Sequence, residues 1–139
     1  MEISATVRNA NPVHEVVVRT DDAAKTLSLP PRASGRGSAV NGGELLMLAL
    51  ATCYCNDLYR EAERLSIPIE SVEVEASALF PAVGAAATRI RYRAKVSSPA
   101  PTSAIEDLLR HTDAVSEVQN TIRAGVTVTL VTESREEVP

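Results

Sequence analysis

The sequence of 139 residues contains few aromatic residues, few cysteines and no excess of positive charge. It has no tryptophan, one phenylalanine and three tyrosines, so it lacks the aromatic surfaces on which single-stranded nucleic acids stack. Its 14 basic and 18 acidic residues give a net charge of -4, which argues against a phosphate-binding surface. We therefore expect no nucleic acid partner.

A long hydrophobic run is also missing. The most apolar segment, Leu45 to Cys55, is shorter than the roughly 20 residues that a membrane-spanning helix needs. The first residues lack the basic and then apolar start of a signal peptide. These absences predict a cytoplasmic protein with no membrane partner. A content of 45% hydrophobic and 23% charged residues is typical of a folded chain, and we expect one domain over residues 1–139.

The N-terminal third alternates apolar and polar residues and predicts three short strands. The alternation covers residues 3–7, 16–18 and 27–29. Turn-forming residues at 11–12 and 21–22 separate these runs, as expected for a meander.

A long helix is predicted over residues 44–66, because nothing there breaks a helix before Pro68. Its first half is apolar on all sides, which is typical of a buried helix. Its second half is more polar, and Asn56 and Asp57 are interpreted as the start of a solvated end. Asp57 and Arg60 have the spacing of an i, i+3 ion pair.

The rest of the chain predicts a hairpin, two helices and a final strand. The expected strands cover residues 69–80, 87–96 and 126–131, and the expected helices cover 102–111, capped by Thr102 or Ser103, and 113–123, capped by Asp113. The tail from residue 133 is expected to fray. This order gives an α+β fold with antiparallel sheets. Since little of the chain is left to cover an entirely apolar helix, a second copy is expected to complete it as a homodimer.

The two cysteines are the strongest nucleophiles of the predicted helix. Cys53 and Cys55 lie about 200° apart around its axis, which disfavours a disulfide between them. Both can be small buried hydrophobic residues, whereas a reactive Cys53 needs a cation or a helix N-terminus beside its thiolate. Because Cys53 lies in mid-helix, an arginine of the N-terminal strands or of a partner chain is the expected cation. No metal or cofactor is expected, since His14 and His111 show no ligand spacing.

Glu44 lies in the first turn of the predicted helix, where a carboxylate suits the helix dipole. Nine residues separate it from Cys53, which corresponds to about 13 Å along the helix axis. If the two share a site, one of them is expected to come from the partner chain.

The segment from Asn41 to Cys53 resembles a family signature. Its residues Asn-Gly-Gly-Glu-Leu-Leu and Ala-Leu-Ala-Thr-Cys are similar to the Asn-Pro-x-Glu-Leu…Ala-x-Cys pattern of OsmC/Ohr proteins, the osmotically inducible and organic hydroperoxide resistance proteins. The resemblance implies antiparallel sheets around a long buried central helix, in an intertwined homodimer. It implies that Cys53 attacks organic hydroperoxides and becomes a sulfenic acid. It also implies that Glu44 and an N-terminal arginine, Arg8 or else Arg19, activate Cys53.

The sequence departs from this pattern at three places. The family's second cysteine, which resolves the sulfenic acid, lies in a Cys-Pro-Val-Ser stretch that here reads Asp113 to Ser116, so Asp113 stands at its position. Cys55 is an additional thiol, and Gly42 replaces the proline of the signature.

Three functions therefore stay open. The first is a one-cysteine thiol peroxidase that reduces organic hydroperoxides with an external thiol reductant. The second is a non-catalytic dimer of the same fold that binds a small hydrophobic ligand or senses oxidants. The third is another cysteine-dependent reaction, such as thioester hydrolysis.

Overall fold

The computed structural model describes residues 1–10 and 12–132. The chain order is three strands, a helix, two strands and two helices. The strands are β1 (Ile3–Ala10), β2 (Val13–Thr20), β3 (Ala23–Leu27), β4 (Ser71–Leu79) and β5 (Thr88–Ser97). The helices are α1 (Gly42–Arg64), α2 (Thr102–Val115) and α3 (Glu117–Ala124). The predicted α+β class with antiparallel sheets is confirmed.

The chain divides into two compact units, Met1–Leu48 and Ala49–Pro139. The first contains the predicted meander, in the order β1-β2-β3. Val16 of β2 lies opposite Val7 of β1 and Leu27 of β3, and it is the one buried hydrophobic residue among the described residues of this unit. Val7 and Leu27 are exposed. The sheet therefore leaves apolar side chains uncovered.

The start of α1 is fixed by reciprocal hydrogen bonds between two side chains and the backbone. Asn41 Oδ1 accepts from the Glu44 N–H at 2.8 Å, and Glu44 Oε1 accepts from the Asn41 N–H at 3.1 Å. This is a capping box, which satisfies two backbone donors at the helix terminus. The helix therefore begins at Gly42, directly after its cap.

The core of the second unit forms around the later half of α1. Tyr54, Leu58 and Ala62 recur at a spacing of four residues, so they lie on one face, and they pack with Leu108 of α2. The partly buried residues around them include the inward-facing side chains of both β4 and β5.

Burial along α1 differs from the sequence prediction. In the first half Leu46 and Leu48 are 36% and 58% exposed, whereas in the second half Asp57 and Glu61 are buried. The prediction of a buried first half and a solvated second half is therefore wrong for the single chain. Hydrophobic periodicity identifies the side chains that favour burial, but it does not show which neighbouring elements bury them.

The second sheet is the predicted hairpin of β4 and β5. Val72 and Val74 lie on its half-buried face, while Glu73 and Glu75 are exposed on the other. Val74 pairs with Ala94 across the hairpin, and the register shifts between residues 77 and 79. This strict alternation is what the sequence predicts for a sheet with one covered face.

Both predicted helix caps are wrong. α2 begins at Thr102, as predicted, but it continues to Val115 and does not end at His111. Pro101 precedes α2 as its N-cap residue, and no side chain caps the helix, so the caps at Thr102 or Ser103 do not form. Asp113 lies inside α2, and Ser116 is the N-cap residue of α3. Asp113 is a good capping residue in isolation, but its carboxylate is held by other side chains. The predicted end of the last helix at Gly125 is confirmed, with a left-handed φ of 59°.

The predicted strand at 126–131 does not form in the single chain. Val128 and Leu130 are 96% and 87% exposed. The alternating valines and threonines favour extended backbone, but a strand also needs a hydrogen-bonded neighbour, and the described residues provide none. The predicted fraying from residue 133 lies outside the described residues. Among the described helices, none is long and apolar enough to cross a membrane.

Candidate active site

Cys53 is half-buried on α1, and its thiol faces a carboxylate one turn further along the helix. The Cys53 Sγ donates to Asp57 Oδ2 at 3.5 Å. The spacing of four residues places both side chains on the same helix face. Asp57 is only 5% exposed, so its interpretation as the start of a solvated end is wrong. The sequence contains this spacing, but it does not show that the face is buried.

The first turn of α3 lies beside the same sulfur. The backbone N–H of Val118, the second residue of α3, is close enough to the Cys53 thiol to lower its pKa. The first N–H groups of a helix have no partner within the helix, and they carry partial positive charge that stabilises a thiolate. A helix N-terminus therefore supplies one of the two kinds of stabilisation that a reactive cysteine requires. Sequence reasoning missed it because it began this helix at Asp113.

The surroundings of Cys53 have opposing effects on its pKa. Burial has the largest effect and raises the pKa, and the negative charges of Asp57 and Glu117 raise it further. The hydrogen bond from the Val118 N–H lowers it. The pKa of Cys53 lies above the ordinary value of 9.0 as a result. At neutral pH the sulfur is therefore mostly a protonated thiol.

Arg60 connects the carboxylates around Cys53. Its Nη1 lies 2.9 Å from Asp57 Oδ1 and 4.0 Å from Glu117 Oε1, and its Nη2 lies 3.5 Å from Glu61 Oε1. The predicted i, i+3 pair between Asp57 and Arg60 is confirmed. Asp57 thus presents one oxygen to the thiol and the other to a guanidinium.

Three ligand atoms near Cys53 are close enough together to surround a metal ion. The Cys53 Sγ and one carboxylate oxygen each of Asp57 and Glu117 lie within 4.8 Å of one another. Zinc accepts such sulfur and oxygen ligands. However, the Arg60 guanidinium already supplies positive charge to both carboxylates.

Neither histidine belongs to this group. His14 Nδ1 lies 3.0 Å from Asn9 Nδ2, and His111 Nε2 lies 3.3 Å from Glu61 Oε2.

Glu61 is almost completely buried among basic side chains. Arg64 Nη1 and His111 Nε2 each lie 3.3 Å from Glu61 Oε2. Burial raises the pKa of Glu61, but the hydrogen bond with His111 and the charges of Arg64 and Arg60 outweigh it, so the pKa lies below its ordinary value. Glu61 thus links α1 to α2 through its hydrogen bond with His111.

Asp113, which the family resemblance aligns with the second cysteine, lies in a polar cluster; that correspondence stays a prediction. Asp113 accepts hydrogen bonds from the Tyr92 hydroxyl and, at 2.6 Å, from Arg123 Nη2. The rings of Tyr54 and Tyr92 meet edge to face, with their centroids 4.7 Å apart. A cavity of about 430 Å³ beside them is lined by Tyr54, Tyr92, Asp113 and Arg110, among others.

The remaining predicted site residues have other contacts. Arg8 Nη1 lies 3.7 Å from Glu15 Oε2 on the exposed face of the first sheet, and Arg19 is exposed. Glu44 belongs to the capping box, and Cys55 is a free, half-buried thiol. The roles of Arg8 and Glu44 in activating Cys53 stay predictions.

Comparison with known proteins identifies the family. The sequence model of the OsmC-like protein family matches residues 35–131, which is more than half of the chain and includes α1 with Cys53. The chain belongs to the OsmC family. The resemblance of residues 41–53 to the family signature therefore extends over most of the sequence. No curated protein matches the chain in sequence.

Solved structures of OsmC proteins have the same fold. An OsmC-like protein from Mycoplasma pneumoniae is 19% identical, with a TM-score of 0.60, over 88% of this chain and 86% of that one. An organic hydroperoxide resistance protein OsmC from Legionella pneumophila is 18% identical, with a TM-score of 0.59, over 88% and 90%. An OsmC-like hydroperoxide resistance protein from Jannaschia is 17% identical, with a TM-score of 0.52, over 92% and 86%. At these identities the likeness establishes the fold alone.

Proposed function

We propose that this OsmC-family protein reduces organic hydroperoxides through Cys53, as a one-cysteine thiol peroxidase with an external thiol as its reductant. The observation that carries the proposal is the environment of the Cys53 sulfur. A helix N-terminal N–H near the sulfur lowers its pKa and can stabilise its negative charge. A carboxylate 3.5 Å away can accept its proton. A half-buried cysteine with a purely structural role needs neither group.

The one-cysteine mechanism follows from what stands at the second position. In the reaction, the Cys53 sulfur attacks the terminal oxygen of the hydroperoxide, the O–O bond breaks, and an alcohol leaves. Asp113 cannot close a disulfide with the resulting sulfenic acid, and Cys55 is directed away from Cys53 around α1. An external thiol then condenses with the sulfenic acid and a second one returns Cys53 to the thiol.

Glu44 and Arg8 complete the proposed catalytic group. For Glu44 the support is its place in the Asn-x-x-Glu…Cys signature of the family. For Arg8 it is the family's arginine in the N-terminal sheet. Glu44 also caps α1, so its structural and catalytic roles need separate tests.

We propose that the active form is a homodimer in the cytoplasm. The first unit has one buried hydrophobic residue among its described residues, while Ile3, Val7 and Leu27 are exposed. The segment 126–131 exposes four more large hydrophobic residues. Apolar surface of this extent is typical of a protein interface. The proposed reductant and two free cysteines fit a reducing compartment.

The test is stopped-flow oxidation of the reduced protein by cumene hydroperoxide, followed by mass spectrometry. We expect fast formation of a sulfenic acid on Cys53 that added thiol reverses. Cys53→Ser should abolish the reaction, and Cys55→Ser should keep it. A wild-type rate no higher than that of free cysteine would contradict the proposal.

The raised pKa of Cys53 favours a second candidate, a non-catalytic OsmC dimer that senses oxidants or binds a small hydrophobic ligand. Burial and two nearby carboxylates keep the thiol protonated and slow its reaction. This candidate predicts slow, stoichiometric oxidation of Cys53, with no turnover when thiol is added. The same stopped-flow experiment distinguishes the two functions.

A further inference from the structure

The contacts of Asp57 divide its two oxygens between two different groups. Oδ2 accepts from the Cys53 thiol at 3.5 Å, while Oδ1 accepts from Arg60 Nη1 at 2.9 Å. The carboxylate is 5% exposed, so little water competes for either oxygen. Its orientation towards the sulfur is therefore set by the guanidinium behind it.

The neighbouring charged groups are less suited to exchange a proton with Cys53. The side chain of Glu117 is 69% exposed, at the start of α3, and it is not hydrogen bonded to the thiol among the described contacts. Arg60 has no acceptor atom. Asp57 is the group in the described part of the chain that both contacts the sulfur and has lone pairs directed at it.

We propose that Asp57 is a catalytic residue that moves the proton of the peroxidase reaction, and this inference rests on the proposed function. As the Cys53 sulfur attacks the terminal peroxide oxygen, Asp57 Oδ2 takes the thiol proton. The O–O bond breaks, its electron pair goes to the alkoxide, and Asp57 hands the proton to that alkoxide. The products are the Cys53 sulfenic acid and a neutral alcohol, so the hydroperoxide is reduced by two electrons and the sulfur is oxidised by two.

Arg60 has a positioning role in this reaction. It does not contact the sulfur, but it holds Asp57 Oδ1 and so keeps Oδ2 directed at the thiol. Its side chain is 46% exposed, so it can be replaced without opening the core.

The experiment compares two reagents on wild-type protein and on Asp57→Asn. Iodoacetamide reports the thiolate population alone, whereas cumene hydroperoxide also needs a proton for its leaving alkoxide. At pH 7 we expect alkylation of Asp57→Asn to be faster than wild type, because a negative charge beside the thiol is removed. Peroxide oxidation should instead fall by about a hundredfold, the lower end of general acid–base catalysis.

The pH profile separates proton transfer from a structural effect. Above the pKa of Cys53 the thiolate is already formed and Asp57 has no proton to pass on, so the oxidation rates of wild type and Asp57→Asn should converge. Arg60→Lys, which keeps the charge, should retain more of the neutral-pH oxidation rate than Arg60→Gln. Asp107→Asn is the matched control, because Asp107 is 82% exposed and paired with Arg110, and its rates should equal those of wild type.

Two results would overturn the inference while leaving the proposed function intact. One is a rise of both the alkylation rate and the oxidation rate in Asp57→Asn, which would mean that the negative charge of Asp57 only slows the reactions of the thiol. The other is an oxidation rate equal to wild type at all pH values. A wild-type rate no higher than that of free cysteine would instead contradict the proposed function itself. Circular dichroism melting of each variant shows whether a low rate comes from unfolding.

Discussion

Tyr92 of β5 donates its phenolic hydrogen to the carboxylate of Asp113 in α2. Arg123 approaches the same carboxylate at 2.6 Å. The position therefore joins β5, α2 and α3 through polar contacts.

Asp113 also affects the ionisation of a tyrosine that it does not contact. Burial raises the pKa of Tyr54 to about 12, with a further contribution from the Asp113 charge. Asp113→Asn should therefore lower the pKa of Tyr54, while burial keeps it above 10. Absorbance titration of the phenolate, taken as the difference from a Tyr54→Phe variant, measures the shift. Asp107→Asn should leave it unchanged, and an equal shift there would contradict the assignment.

The same tyrosine contributes to alkaline unfolding. In the unfolded chain Tyr54 loses its proton near the ordinary value of 10.0, but in the folded chain it keeps the proton to about 12. The stability from this shift is fully present below pH 10 and is lost as the pH rises through 12. Tyr54→Phe should therefore lose stability less steeply than wild type in this range, as measured by thermal melting.

Glu44 allows structural capping and catalysis to be separated. Glutamine can replace glutamate in a capping box, whereas alanine cannot. Glu44→Gln should keep the unfolding free energy close to wild type, while Glu44→Ala should lower it by about 1 kcal/mol. If Glu44 also activates Cys53, cumene hydroperoxide should oxidise Cys53 more slowly in both variants than in wild type. A normal oxidation rate in folded Glu44→Gln would restrict Glu44 to capping.

Glu61 should stabilise the fold in a pH-dependent way. Its pKa is lowered in the folded chain, so its contribution is present above the ordinary value of 4.5 and is lost as the pH falls through the folded pKa. Glu61→Gln should therefore melt at a lower temperature than wild type at pH 7. The difference should shrink below pH 4.5 in parallel melting experiments. A constant difference from pH 7 to pH 3 would exclude an electrostatic origin.

The segment 126–131 provides a test of the proposed dimer. Val128 and Leu130 are almost fully exposed in the single chain, and burying each in an interface contributes about 1.5–3 kcal/mol. Val128→Lys and Leu130→Lys should therefore shift the protein towards monomer, as measured by light scattering after size exclusion. Thr129→Lys adds the same charge at the intervening position and should perturb the dimer less. A wild-type monomer at micromolar concentration would contradict the dimer.

The sequence was sufficient where hydrophobic periodicity and local capping decide the structure. The alternation at Val72 and Val74 defines the hairpin, and Gly125 ends α3 where predicted. It was insufficient for burial along α1, because the burial of Asp57 depends on tertiary packing and not on its neighbours in the sequence. The segment 126–131 shows a second limit of prediction from sequence. Its alternating pattern is typical of a strand, but no strand forms without a neighbouring strand to hydrogen bond with.

The candidate site shows the same division between local and tertiary information. Cys53 is predicted from its place in the apolar helix and from the signature-like residues 41–53, which are local in the sequence. The Val118 N–H was missed because no side chain marks it, and only the packing of α3 brings it to the sulfur. Backbone donors carry no residue-specific signal in a single sequence.

Ser116 ends α2 and is also the N-cap residue of α3, and it is completely buried. Because one residue belongs to both boundaries, the two helices have no linker that could absorb a movement. A shift of the last turn of α2 would therefore pass directly to the first turn of α3, which holds Val118.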